Sequence, residues 1–204
     1  MFRHFIARAA AVVGMVVVGG CAGPDWSERP APRTSITRVL LVRHGESFAN
    51  LPHAAEASSD RLDHLTPRGW DQAAAAADLL KHEPIPVIVY SPAARTRETA
   101  GAIAAKWNGA VTPVADDAFR PLAGGPDAMA MSQPANSDFG ATVDQAANEI
   151  AELARRHPGR TVVVVTHGDV IAALTARAGG RAIAGAPASI SQINVNGSQW
   201  RVPG

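Results

Sequence analysis

The sequence predicts an α/β protein: a three-layer α/β/α sandwich with a largely parallel central sheet and a C-terminal antiparallel hairpin. Three observations predict it. The runs at residues 39–42, 87–90 and 162–165 are apolar and rich in β-branched residues, as strands buried on both faces are. Segments of helical period separate them. Finally, residues 189–195 and 199–202 flank Asn196-Gly197, a strong hairpin signal. The order β-α-β-α-β-α-β-α followed by a hairpin is that of a layered sandwich.

The elements follow in turn. Residues 38–47 read Arg-Val-Leu-Leu-Val-Arg-His-Gly-Glu-Ser, a buried strand that ends abruptly in Arg43-His44-Gly45. Thr66-Pro67 sets an N-cap before a proline at the first helical position, and Trp70, Ala73, Ala77 and Leu80 follow at helical spacing. The run 87–90 leads into Ser91-Pro92, and a helix opening at Pro92 is expected to bury Ala100, Ile103, Ala104 and Trp107. Val143, Ala146, Ala147, Ile150 and Leu153 share one face of a helix over about 143–157, which Pro158-Gly159 ends. The strand at 161–166 delivers His167-Gly168, and a helix from about Asp169 closes at Gly179-Gly180. Ahead of the helix at about 143–157, residues 121–141 carry no periodicity and are rich in Gly, Pro, Ala, Ser and Met. A connection of that length is a lid, a binding loop or a disordered segment; a lid over the strand ends is the preferred reading.

The N-terminus reads as an address. Arg3 and Arg8 precede a short apolar stretch, too short to span a bilayer as a mature helix, and Gly19-Gly20-Cys21 follows, which is the layout of a secretory signal. Cys21 is the sole cysteine, so it has no internal disulfide partner. Val18-Gly19-Gly20-Cys21 resembles a bacterial lipobox, in which the cysteine is lipidated. The alternative is an ordinary cleaved signal in which Cys21 has no role. The division is therefore a signal peptide over 1–20, a lipid-anchored, proline-rich tether over 21–36, and one domain over 37–204. The expected location is the bacterial envelope, exported and held on the membrane through the N-terminal lipid.

Charge excludes one class of partner. The full chain has a formal charge of +1, and residues 1–20 take Arg3 and Arg8 with them and no acid, leaving 17 basic against 18 acidic side chains. No basic patch with interleaved aromatics is present, so no nucleic-acid partner is expected.

Two histidines and two arginines stand just beyond three strand-like runs, where an open parallel sheet places its ligands. Arg95 falls in the first turn of its helix, where the macrodipole disfavours a cation, which implies an anion nearby. The planar fork of arginine suits phosphate. Arg43, Arg95, His44 and His167 together make a cationic pocket for a phosphoryl group, with one ring able to attack it. A metal site built on His44 and His167 is the rival, and two adjacent arginines would repel the cation. No metal and no cofactor is expected. His53 and His64 read as solvated loop histidines, and Trp70, Trp107 and Trp200 as packing residues. Arg97 and Arg120 are either an extension of the cationic pocket or surface residues.

Leu41-Val42-Arg43-His44-Gly45-Glu46-Ser47 with Asn50 resembles the opening motif of the histidine phosphatase superfamily, in its phosphoglycerate mutase-like branch. Leu65-Thr66 with Gly69 and Gln72-Ala73 resembles the next block, Ser91-Pro92 with Arg95 and Thr99-Ala100 the pocket-arginine helix, and Thr166-His167-Gly168 the second histidine. The resemblance implies that His44 is phosphorylated transiently while Arg43, Arg95 and His167 hold the phosphoryl oxygens. It also implies that Asn50 and Ser47 contact the phosphoryl group or substrate, a small phosphorylated molecule, and that no metal is needed. One departure stands out. The family places a proton-donating glutamate where this chain has Pro121. Asp116, Asp117 and Asp127 are the possible substitutes, while Asp169 reads as a helix cap. The expected activity is phosphomonoester hydrolysis. The alternatives are a weak or inactive phospho-ligand-binding lipoprotein and, less favoured, a phosphoglycerate mutase.

Overall fold

Strand β1 (Thr37–Arg43) lies inside the sheet, because its neighbours on both sides are strands. It pairs in parallel with β4 (Thr161–Thr166) and antiparallel with β5 (Ile190–Asn196). The computed structural model describes residues 35–52, 54, 58–107, 110–122 and 139–204. The expected signal peptide, Cys21 and most of the expected tether therefore lie outside the described residues, as do His53 and most of the expected lid. β2 (Ile88–Tyr90) pairs in parallel with β4 and with the two-residue β3 (Val114–Ala115). β6 (Gln199–Arg201) closes the other edge against β5. The six strands run in the order β3-β2-β4-β1-β5-β6. Gly197 takes φ +57 in the hairpin turn between β5 and β6, a conformation that favours glycine.

Helices cover both faces. Beyond a single turn α1 (Ser59–Leu62) come α2 (Pro67–Leu80), α3 (Ala94–Ala104), α4 (Phe139–Arg156) and α5 (Gly168–Arg177). Alternate residues of the central strands point to opposite faces. Leu40, Val42, Val163 and Val165 pack with Ala77, Leu80, Ala100 and Ile103 of α2 and α3. Val39, Leu41, Val162 and Val164 pack with Ile150, Leu153, Ile171 and Leu174 of α4 and α5. All six residues of β4 are buried, which is why four consecutive valines stand between its two threonines. The sandwich with its mainly parallel sheet and terminal hairpin is as the sequence predicts. Among the described residues, no helix is long and apolar enough to cross a membrane.

Two details differ from the sequence reading. Trp70 is 45% exposed rather than packed. The buried stripe of α2 runs through Gly69, Ala73, Ala76, Ala77 and Leu80, and Gly69 takes the inward place next to the tryptophan because backbone contact there leaves no room for a side chain. Helix α3 starts at Ala94, not Pro92. Thr66 caps α2 through its hydroxyl as expected, accepting from the Gly69 N–H at 3.0 Å.

Candidate active site

Sheet order brings the three functional strand ends together. β4 lies between β1 and β2, with Arg43 opposite Thr166 and Tyr90 opposite Val165. The ladder continues one step past the strands, with the His44 N–H on the Thr166 carbonyl and the Ser91 N–H on the Val165 carbonyl, both at 3.0 Å. His44, His167 and Ser91 are thus adjacent at the carboxyl edge. The two imidazoles meet edge to face, centroids 5.4 Å apart and planes at 64°.

His44 is fully buried and its Nδ1 lies 2.7 Å from the Gly45 carbonyl. A carbonyl only accepts, so Nδ1 carries a proton, and Nε2 is the nitrogen that holds the lone pair whenever the ring is neutral. The turn that holds this ring is packed backbone to backbone. A Cβ on Gly45 would lie 2.4 Å from the Gly69 carbonyl oxygen, and one on Gly69 would lie 2.0 Å from that of Glu46. Thr99 Oγ1 accepts the Gly45 N–H at 3.1 Å and donates to the Arg95 carbonyl at 2.8 Å. Gln72 accepts the Glu46 N–H, and Glu46 accepts the Thr66 hydroxyl. These contacts seat the motif on the start of α2. Ser47 and Asn50 face one another: Asn50 Oδ1 accepts both the Ser47 N–H at 2.9 Å and its hydroxyl at 3.1 Å.

Arg95 has no exposed surface. The anion that its place in the helix implies is Asp63, which sequence reasoning missed. Asp63 Oδ1 is 2.5 Å from one terminal nitrogen of Arg95, and Oδ2 accepts the Ala94 N–H at 2.7 Å. The other terminal nitrogen of Arg95 donates to His167 Nδ1 at 3.2 Å, so His167 carries its proton on Nε2, 2.8 Å from Ser91 Oγ. Arg43 donates to the Gly185 carbonyl at 2.7 Å, and its buried Nε has no partner among the described residues. That nitrogen passes 3.2 Å from where a Cβ of Gly168 would stand, so glycine there lets the guanidinium lie against the start of α5. Two helix N-termini, those of α3 and α5, open at this site, which favours an anion.

Other charged candidates lie elsewhere. Arg97 is exposed, and Arg120 pairs with Asp117 at 2.7 Å. His64 is not a solitary loop histidine but is bonded to Glu98. Pro121 is buried beside the site: the carbonyl of Phe119 accepts the Thr166 hydroxyl at 2.8 Å, and the Leu122 N–H is bound by Asp169 Oδ2 at 2.8 Å. Asp169 therefore ties down the 119–122 segment; His167 occupies the N-cap position of α5. Asp116 spends one oxygen on the Ala118 N–H, and Asp117 is 71% exposed. Asp127 lies outside the described residues. Among the described residues, no three His, Cys, Asp or Glu side chains are grouped to hold a metal ion. The open grooves, between α4 and the hairpin and between α4 and α5, are lined by none of His44, Arg43, Arg95 and His167.

This geometry can be set beside known proteins. A metal-independent phosphoserine phosphatase of Arabidopsis thaliana is 28% identical over 200 residues, 86% of this chain and 83% of that protein. The fold resembles that of a phosphoglycerate mutase from Bacillus anthracis, with a TM-score of 0.65 at 16% identity over 83% of this chain and 92% of the other. It also resembles a mycobacterial glucosyl-3-phosphoglycerate phosphatase, with a TM-score of 0.61 at 22% identity over 82% of this chain and 97% of the other. Residues 39–133 and 122–203 match the histidine phosphatase superfamily, branch 1. With its two histidines and two arginines gathered at the carboxyl ends of β1, β4 and β2, the chain belongs to that superfamily.

Proposed function

We propose that this protein hydrolyses phosphomonoesters through a phosphohistidine formed on His44. One observation carries the reading: a buried ring that donates from Nδ1 to the Gly45 carbonyl, next to a second imidazole that Arg95 contacts. In the first step Nε2 attacks phosphorus, the N–P bond forms, and the ester P–O bond breaks with its electron pair on the leaving oxygen. In the second step water attacks phosphorus and the N–P bond breaks, which releases inorganic phosphate and restores His44. Arg43 and Arg95 stabilise the negative oxygens of the transferring group, and His167 joins them when its Nε2–H turns from Ser91 Oγ to a phosphoryl oxygen. Asn50 and Ser47, joined to each other at the motif, orient the substrate or its phosphoryl group. The phosphoserine phosphatase relative supports a small phosphorylated substrate.

Pro121 shapes the expected substrate range. It transfers no proton, and Asp116 and Asp117 are engaged in local contacts. A missing general acid costs about 10²–10⁴-fold and matters most for poor leaving groups. Aryl, enol and acyl phosphates should therefore turn over far faster than alkyl phosphates, with a steep dependence of the phosphorylation step on leaving-group pKa. A shallow dependence would mean that a proton donor acts. The second reading, a phospho-ligand-binding protein, is favoured by the same buried proline. It predicts phosphate binding without hydrolysis of even activated esters.

We also propose that the domain works outside the cytoplasm, anchored at the membrane by lipid on Cys21. The support is the basic start, short apolar run and lipobox-like Val18-Gly19-Gly20-Cys21.

A further inference from the structure

We propose that Asp63 is a positioning residue of the phosphoryl pocket, holding the Arg95 guanidinium in the one orientation that reaches both His167 and a transferring phosphoryl group. The inference rests on the phosphatase reading for its turnover arm only. Asp63 ends the turn α1 and belongs to none of the motifs that mark the site. Its carboxylate is held at two points: Oδ2 by the Ala94 N–H at 2.7 Å and Oδ1 by Arg95 at 2.5 Å. A carboxylate fixed to the first turn of α3 has little freedom to swing. It therefore fixes one corner of the guanidinium.

Because that group is planar and rigid, a second contact fixes its plane. The second contact is the 3.2 Å bond to His167 Nδ1, which in turn sets the His167 proton on Nε2 toward Ser91. Asp63, Arg95, His167 and Ser91 thus form one chain of contacts, and its only anionic member is Asp63. Burial adds a second reason. A guanidinium with no exposed surface requires a compensating charge, and Asp63 supplies it from the side away from His167.

Asp63→Asn breaks this clamp at constant size. An amide offers one acceptor, so either the Ala94 N–H or the Arg95 N–H meets a donor. A ground-state phosphate needs mainly positive charge, whereas the trigonal-bipyramidal transition state needs oriented donors. Misplacement by about 1 Å can cost on the order of 100-fold in rate. Relative to the unaltered protein, Asp63→Asn should lower kcat/KM toward an aryl phosphate by about that factor. It should weaken orthovanadate binding, read by calorimetry, in proportion, and leave inorganic phosphate binding within about twofold or tighter. Two results would overturn the proposal: unchanged turnover and vanadate affinity, or equal weakening of vanadate and phosphate together with a lowered melting temperature, which is the mark of a helix cap alone. If Asp63→Asn does not fold, Asp63→Glu keeps the charge and displaces the carboxylate by one methylene, and the same split between vanadate and phosphate is expected. If the unaltered protein hydrolyses nothing, the phosphatase reading falls, and the two affinities still decide the role of Asp63.

Discussion

Arg95 and Arg43 meet the same demand, a positive charge kept beside a buried imidazole, by different means. Arg95 is neutralised at one corner by Asp63, whereas Arg43 leans on a backbone carbonyl and keeps a buried Nε–H without a partner among the described residues. A buried donor left unpaired is costly unless a ligand satisfies it. On the phosphatase reading that ligand is a phosphoryl oxygen. Removing a comparable preorganised donor raises a barrier by about 2.7–4 kcal/mol. Arg43→Ala should therefore reduce kcat by about 10²–10³-fold with the fold intact, as steady-state kinetics beside circular dichroism will report. Near-native turnover would remove Arg43 from the pocket. At this scale the sequence was most informative where a polar residue interrupts an apolar run. His44, Arg43 and His167 each follow an apolar run that leaves no other reason for a polar residue there. Asp63 was illegible: a single acid in a turn before a helix looks like any solvated turn acid until the fold lays it against Arg95.

The elements themselves were legible wherever one face is apolar. α4 carries Ala146, Ala147, Ile150 and Leu153 into the core as their spacing requires, and β4 is buried throughout. The sequence misled where backbone, not side chain, makes the contact. The helical spacing of Trp70 with Ala73, Ala77 and Leu80 predicts a packing role, yet Gly69 takes the inward position against Glu46. That contact gives a test with an internal control. Overpacking of a tight site costs about 1–3 kcal/mol, and a Cβ 2.0 Å from the Glu46 carbonyl has no flexible neighbour to yield. Gly69→Ala should destabilise by at least that much in urea unfolding and should also reduce activity, because the shifted strand end carries His44. Gly101, within α3, has nothing within 4 Å of a built Cβ. Gly101→Ala should stabilise by about 0.5–1 kcal/mol, the usual gain for alanine in a helix interior. If both changes had the same sign, the backbone packing described for the motif would be wrong.

For the whole molecule, the order β3-β2-β4-β1-β5-β6 is what turns three distant segments into one site. Alternating strands and helices were enough to predict a parallel sheet with ligands at its carboxyl edge. Which strands are neighbours was not legible, because buried parallel strands look alike in sequence. The proposed lipid anchor on Cys21 has its own consequence. Acyl chains contribute about 0.8 kcal/mol per buried methylene, and two are needed for stable anchoring. Cys21→Ala should therefore move the protein from the membrane to the soluble or secreted fraction, whereas unchanged detergent-dependent partitioning would remove the lipid anchor from the account. Whether His44 takes the phosphoryl group is read by trapping the covalent intermediate. The protein is mixed with a radiolabelled aryl phosphate, quenched within milliseconds, digested, and the labelled peptide sequenced. An acid-labile, base-stable label on His44, absent from His44→Ala, is the predicted result. A label on His167, or full turnover by His44→Ala, would contradict it.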